Sequence, residues 1–388
     1  MRAVGARTVG QATAIRPIPL STIGRLFAGT IAGVIANVAG KARGIIQANR
    51  LAADLKWRQL PRFAVRATAT GPTRVYYLAP HLAAASGGVR NIYRHVDSLN
   101  SLGIDAAVVH AKAGHRADWF ANKTRVLDAG QVSLGPRDLL VVPECYGPGL
   151  GGLPDGIRVV IFNQGAYHTF DRIPFENTEP GAPYAGLADV VGLLTVSQDS
   201  AALLRYGFPS MAVSIARPVV DGSVFHPSDA MRGRRIAYLT HRRPQEREQL
   251  LHLLRAHGLP AGWELVPISR RTEAQTANMM RTSALFLGFS EREGFGLPPA
   301  EAMASGCYVI GYPGMGGREF FEPDHCAPIP DGDLLAFARA IDDAIAAHDE
   351  DTEAFSKIGL TASERILSRY SAENLRADLA AFYRPLVD

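Results

Sequence analysis

Cysteine is nearly absent: Cys145, Cys307 and Cys326 are the three in 388 residues. So few and so scattered, they exclude a disulfide framework and a cysteine-built zinc cage, and they point to a reducing compartment. Long uncharged runs are also missing. The run Leu26–Gly40 has 15 residues, short of the roughly 20 needed to span a bilayer. There is no repeat with a period of roughly 20–50 residues and no low-complexity tract. Acids are scarce at the start, where residues 1–66 hold 11 Lys and Arg against Asp54 alone. With an overall formal charge of +4, the remaining chain therefore stands at −6. A nucleic-acid-binding enzyme more often spreads its basic residues over the folded body, so nucleic acid is not an expected partner.

What is present is apolar and regularly patterned. A hydrophobic content of 47% is ample for sizeable cores, and the length suggests two or three domains. From Gly71 on, "TRVYYLA", "GIDAAVVHA", "RDLLVVPE", "GIRVVIFN" and "GLLTVS" are continuous apolar runs bounded by turn residues, which predicts buried strands. Between the first two, Val89, Ile92, Tyr93, Val96 and Leu99 recur at helical spacing and Gly103 stops the helix. That is βαβ grammar, which implies a parallel sheet with helices on its faces. The grammar restarts with "RRIAYLTH", "WELVPIS", "SALFLGF" and "CYVIGY", separated by helical runs at Gln245–Ala256, Glu273–Arg281 and Pro299–Ser305. Ala216 to Asp229, with Pro218, Gly222 and Pro227, reads as the linker. The fold class is α/β: two doubly wound domains facing each other, with ligands at the carboxyl ends of the strands.

The segment "SEREGFGLPPAEAMASGCYVIGYPGMGG", Ser290 to Gly317, sets Glu293 and Glu301 eight residues apart around two glycines and two prolines. Pro298 and Pro299 suit only the first turn of a helix, where a missing N–H has no helical partner, and Gly306 ends that helix. Glu293 then sits in the loop and Glu301 in the first turn. The amides of Gly294, Phe295, Gly296 and Leu297 are left to face an anion, and glycine lets the backbone approach it closely. Carboxylates beside an anion-binding loop would repel the anion itself. They serve better as acceptors for hydroxyls flanking a phosphate, the layout of a nucleotide-sugar. The alternative is that Glu301 complements the helix dipole and Glu293 is solvated.

The run "EGFGLPPAEAMASG", followed by a strand and a Gly-rich turn, resembles the E-x7-E motif of glycosyltransferase family 4, and the resemblance covers roughly Gly71 to the C-terminus. It implies the GT-B fold, two Rossmann-like domains around a cleft, and transfer with retention of configuration. It further implies that Glu293 contacts the donor sugar, Glu301 the nucleotide's ribose, and the Phe295–Leu297 backbone the donor's phosphate and sugar. The family carries a Gly-Arg and a following Lys after the second domain's first strand. "YLTHRRPQERE" offers Arg242 and Arg247, with His241 in place of the Gly; Arg243 fits if the register slips by one. Such cations neutralise a departing diphosphate. Gly87 and Gly88 match the family's Gly-rich loop beside the diphosphate. Where the family often has His-Gly or an acid, this chain has Gln164-Gly165, with His168 four residues on. Gln164 can hydrogen-bond a hydroxyl or the leaving oxygen but cannot act as a base; His168 is either the catalytic substitute or structural. Asp331-Gly332-Asp333 spells the D-x-D that binds metal in the other large glycosyltransferase fold. It directly precedes "LLAFARAIDDAI", so a helix cap is expected, with no metal and no cofactor beyond the donor.

These readings expect a basic extension at 1–66, an acceptor-side domain at 71–217, a nucleotide-sugar domain at 218–370, and a C-terminal helix, 371–388, returning to the first domain. The activity expected is retaining, metal-independent transfer of a sugar to a glycan or lipid-linked acceptor in cell-envelope synthesis. Two rivals remain. One is a glycoside hydrolase using Glu293 and Glu301 as acid and nucleophile; the other is a non-catalytic nucleotide-sugar-binding module. In the extension, Ile23, Phe27, Ile31, Val34, Val38 and Ile45 recur at helical spacing, with Arg25, Arg43 and Arg50 opposite. Either this helix lies on an anionic membrane surface at the cytoplasmic face, or it packs on the enzyme or a second subunit.

Overall fold

In the computed structural model the structure describes residue 49 and residues 52–69, 71–82, 85–187, 189–228 and 232–387. The expected amphipathic helix at Thr22–Gln47 lies outside the described residues. The chain divides into a unit of residues 1–57 and a unit of residues 58–388. Of the first, residues 52–57 are helical, and the Trp57 indole N–H donates to Asp54 at 2.8 Å. The second unit starts at Arg58, earlier than the sequence grammar at Gly71. Its first strand, β1 (Ala64–Val65), pairs in parallel with β5 (Ser133–Leu134).

The larger sheet runs β4-β3-β2-β6-β7-β8-β9, all parallel. Its strands are β2 (Val75–Ala79), β3 (Ala106–His110), β4 (Val126–Asp128), β6 (Leu139–Pro143), β7 (Arg158–Asn163), β8 (Val190–Thr195) and β9 (Val213–Ile215). The second sheet, also parallel, runs β11-β10-β12-β13-β14. It is built from β10 (Gly233–Leu239), β11 (Glu264–Ile268), β12 (Ser283–Phe289), β13 (Tyr308–Tyr312) and β14 (Cys326–Pro328). Strand order reverses between β2 and β6 in the first sheet and between β10 and β12 in the second. In open parallel sheets such reversals leave the crevice where ligands bind.

The strands read as unbroken apolar runs because both faces are covered. In the first sheet, Val75, Tyr77 and Ala79 point to one side and Tyr76 and Leu78 to the other, the period-two alternation of a pleat. The first side is covered by α1 (Gly87–Ser101), through Ile92, Tyr93 and Val96, and by the C-terminal helix, through Leu375, Leu379 and Tyr383. The other is covered by α2 (Gln198–Gly207) and Phe208, which follows it. One face of the second sheet packs on α3 (Pro244–His257) and α6 (Leu334–Glu350) through Leu250, Leu254, Phe337 and Ile341. Its opposite face packs on α4 (Glu273–Arg281), α5 (Leu297–Ala304) and α7 (Thr352–Arg369) through Met280, Met303 and Ile366. That face shares one apolar cluster with the first sheet's α1 side, so the two halves are joined through packing as well as through the chain.

The C-terminal helix α8 (Ala372–Val387) follows the second sheet's helices but lies against the first sheet. The hydroxyls of Tyr383 and Tyr77 are 2.8 Å apart, Arg217 grips Asp378 through two bonds of 2.7 and 2.8 Å, and Arg158 donates to the Leu386 carbonyl at 3.0 Å. Among the described residues, no helix is long and apolar enough to cross a membrane.

Candidate active site

The loop after β12 and the helix α5 form the centre of the site. Gly296 adopts φ +96°, a left-handed conformation that admits glycine without strain, and so starts α5 at Leu297. The helix therefore begins two residues earlier than the prolines suggest, with Pro298 and Pro299 still in its first turn. Glu301 consequently lies in the second turn, beyond the reach of the helix-end dipole. Its carboxylate is 8% exposed and forms an ion pair with Arg90 of α1 at 2.5 Å. Arg90 also pairs with Glu273, at the start of α4. Burial pushes the Glu301 carboxyl above the ordinary carboxylate range, against the pull of Arg90. Burial disfavours the Arg90 charge as well, but its two carboxylate partners outweigh this and its pKa is raised.

Glu293 lies in the loop, with its carboxylate 3.4 Å from Arg242. Arg242 follows β10, on the other flank of the strand-order reversal. His241 beside it is held below its ordinary range, chiefly by burial and then by Arg242 and Arg247. Arg247 is buried and donates to the Arg242 carbonyl at 2.7 Å, so it shapes the turn carrying Arg242. Arg243 is differently placed: it is clamped by Glu246 at 3.0 Å and Asp331 at 2.5 Å, and lies 4.8 Å over the Tyr312 ring. Asp333, the other acid of the D-x-D, accepts from the Ala336 N–H at 2.9 Å and caps α6.

From the first sheet, the strand-to-helix turns bring Gly87, Gly88 and Gln164 to the same place. The Gln164 side-chain N–H donates to the Gly88 carbonyl at 3.1 Å, and its oxygen accepts from Asn91 at 3.1 Å. A side chain on Gly294 would strike the Gln164 carbonyl at 2.0 Å, and one on Gly87 would meet Leu297 at 2.8 Å. Both glycines therefore allow the two halves to touch. Ser200 donates to the Gly294 carbonyl at 3.4 Å, and the Phe295 ring is buried against Phe320 and Tyr370. His168 stands apart on a short 3₁₀ turn, 42% exposed and 2.9 Å from Asp171. The structure thus brings Gly87, Gly88, Gln164, Gly294 and Leu297 together across the cleft, with Glu293 and Arg242 paired beside them. His168 is left at the rim.

Three residues at the site escaped the sequence reading: Arg90, Glu273 and Glu144. Glu144 directly follows β6, at the start of a 3₁₀ turn, and accepts from the Gln164 N–H at 3.0 Å, holding the Gln164 turn in place; burial raises its pKa. Its position at the carboxyl end of an apolar strand was a usable signal. For Arg90 and Glu273 there was none. Among the described residues, the grouping with metal-ligand spacing is Glu322, Asp324 and His325, but Arg365 already pairs with both acids, at 2.6 and 2.7 Å.

The space beside Glu293 and Arg242, walled by Pro298 and Pro299, is about 20 Å³. A more open cavity of about 640 Å³ lies between Arg243, Arg292, Met315, Arg318 and Asp331.

The family model described as "Glycosyl transferases group 1" matches residues 243–360, which include Arg247, Glu293 and Glu301. An alpha-1,6-glucosyltransferase of Actinobacillus pleuropneumoniae serotype 7 is 24% identical over 289 residues, 70% of this chain and 83% of that one. Among solved structures, sucrose-phosphate synthase from Thermosynechococcus elongatus superposes with a TM-score of 0.61 at 15% identity, covering 81% of this chain and 99% of that one. Anabaena HepE in complex with UDP and glucose superposes with a TM-score of 0.56 at 12% identity, covering 81% and 100%.

Proposed function

We propose that this chain is a glycosyltransferase that moves a sugar, with retention of configuration, from a nucleotide-diphosphate sugar to a glycan or lipid-linked acceptor in cell-envelope synthesis. The glycosyl transferases group 1 match at residues 243–360 and the fold shared with sucrose-phosphate synthase support it. The observation that carries the reading is the E-x7-E loop at the strand-order reversal. There Glu293 faces Arg242 and Glu301 is buried on the adjacent helix. Glu301 accepts the ribose hydroxyls, Glu293 contacts the donor sugar, and the loop from Gly294 to Leu297 lies along the phosphates. Arg242, on a turn braced by Arg247, offsets the charge of the departing diphosphate. Gly87 and Gly88 allow the first half to close over that group, and closure excludes water as a competing acceptor.

No enzymic nucleophile is assigned. Gln164, fixed by Gly88 and Asn91, presents a hydrogen-bonding amide where a base would otherwise stand, so the acceptor attacks from the face the diphosphate leaves. His168, at the rim, is the group that could take the proton-handling role Gln164 cannot, the alternative being that it is structural. No metal takes part, and the cations supply the positive charge. Two features of relatives support the donor class: HepE was solved with UDP and glucose, and the Actinobacillus relative is named a glucosyltransferase. The basic extension, residues 1–66, holds the enzyme on an anionic membrane at the cytoplasmic face, through cations other than Arg58 and Arg66, which bond the Cys145 carbonyl and Asp138.

The direct test incubates the full chain with UDP-, GDP- and dTDP-linked α-sugars and simple glycan acceptors, and reads the anomeric proton of the product by NMR. An α-linked product from an α-linked donor is expected. A β-linked product overturns retention, and hydrolysis of an aryl glycoside without nucleotide favours the hydrolase.

A further inference from the structure

In this structure the two halves touch across the cleft beside Glu301. The second half keeps an open cavity of about 640 Å³ next to the Glu293 loop, lined by Glu291, Arg292 and Arg318, within the roughly 300–1,000 Å³ of small-molecule pockets. What is closed is the approach to Glu301, which is 8% exposed. The halves touch through Gly294 against Gln164 and Gly87 against Leu297. They are also tied at the rim, where the Gln198 N–H donates to Glu319 at 2.9 Å and Arg318 lies 3.4 Å from Asp199. A ribose reaches the buried Glu301 only after these surfaces part.

One cross-cleft contact differs from the others because it consumes a group the donor needs. Arg90, on the first turns of α1, is 8% exposed and reaches into the second half to pair with both Glu301 and Glu273. Its Nε has no hydrogen-bond partner, so the guanidinium is spent on these two carboxylates. Beside it, Asn91 donates to Gln164 while its own buried Oδ1 has no partner, leaving an acceptor vacant where the halves meet. Arg90 takes only one oxygen of Glu301, but with the residue buried beneath it ribose hydroxyls cannot reach the carboxylate until the guanidinium moves. A buried ion pair that loses one partner is costly unless another replaces it.

We propose that Arg90 is a positioning residue that gates the donor site: in the empty protein it closes the cleft by taking Glu301, and a nucleotide binds when its ribose displaces the guanidinium. The inference rests on the reading that Glu301 accepts the ribose. Under it, the apparent nucleotide affinity is the intrinsic one reduced by the fraction of molecules in which Arg90 has let go. A gate closed nine times in ten weakens binding about ten-fold. Glu273, the second carboxylate, anchors the gate in its closed position. Hydroxyls of the incoming ribose replace the cation, so Glu301 is never left without a partner.

The test uses the full chain and calorimetric titration with UDP, GDP and dTDP, following the tightest binder. Arg90→Ala is expected to bind that nucleotide about ten-fold more tightly than wild type, and Arg90→Lys to fall between them, because a compact ammonium lacks the planar, spread donors with which the guanidinium spans both carboxylates. Without nucleotide, hydrogen exchange at residues 293–297 and 164–165 should quicken in Arg90→Ala, since the cleft opens more often. A misfolded variant does not gain affinity, so the direction separates a gate from a merely structural arginine. Unchanged or weaker binding by Arg90→Ala, with Glu301→Ala still losing nucleotide, overturns the gate alone. Because Glu301→Ala also frees the gate, the ribose assignment is read in the Arg90→Ala background: Glu301→Ala there binding as tightly as Arg90→Ala alone overturns it.

Discussion

Arg242 keeps 46% of its side chain exposed and lies 3.4 Å from Glu293, whereas Arg243 is 10% exposed, gripped by Glu246 and Asp331 and stacked over Tyr312. The first is free to meet a ligand; the second ties α3 to the residues after β14. Arg242→Ala should therefore lower turnover by about 10²–10³, the usual loss for a group that offsets developing charge, and Arg247→Ala should lower it too, by unsettling the turn that carries Arg242. Arg243→Ala should lower the melting temperature while leaving turnover near wild type. Steady-state kinetics and thermal unfolding of the three variants decide this, and the reverse ranking of Arg242 and Arg243 contradicts it. The sequence offered both arginines because a turn has no periodicity from which a side chain's direction can be read. The ion pair with Asp331, 88 positions away, is what separates them. Arg90 was illegible for the same reason: its partners, Glu273 and Glu301, come from elements that only the fold brings near.

The elements themselves were largely legible. Strands such as Ser283–Phe289 stand as the apolar runs suggest, because a parallel strand buried on both faces must be apolar throughout. The start of α5 was less so, since a glycine at φ +96° sets it rather than the prolines. The short strands β1, β4, β5, β9 and β14, of two or three residues each, carry too little pattern to be read. Helix α1 and strand β3 also bury histidines whose neutrality has a measurable consequence. His95 bonds the Tyr77 hydroxyl at 3.0 Å, and burial holds its pKa at about 3. His110 bonds the Ala79 carbonyl at 3.0 Å and the Tyr93 hydroxyl at 2.9 Å, and burial, followed by His115, holds it at about 4. In the unfolded chain both take protons near pH 6.5. The stability they contribute is therefore complete above about pH 6.5 and drains away as the pH falls toward 4, by about 2 kcal/mol each at pH 5. Thermal unfolding at pH 7 and pH 5 should show the loss, and His95→Gln should show a smaller one; equal losses contradict the assignment.

At the scale of the whole molecule, two parallel sheets each reverse strand order, and the residues of the E-x7-E loop stand at the second reversal, opposite the turns after β2 and β7. That juxtaposition follows from topology, which the βαβ grammar of the sequence already implied. The closure of the two halves, and the use of Glu301 to hold it, did not follow from the grammar. The central claim is that this cleft binds a nucleotide-sugar through Glu301. It is tested most directly by thermal unfolding of the full chain with UDP-, GDP- and dTDP-sugars, in wild type, Glu301→Ala and Glu293→Ala. One donor, at 100 times its Kd, should stabilise the wild type by about 2.7 kcal/mol. The free nucleotide should still stabilise Glu293→Ala, and donor and nucleotide should stabilise Glu301→Ala clearly less than the wild type at those concentrations. Full stabilisation of Glu301→Ala by the donor, or none of the wild type by any of them, would contradict the account.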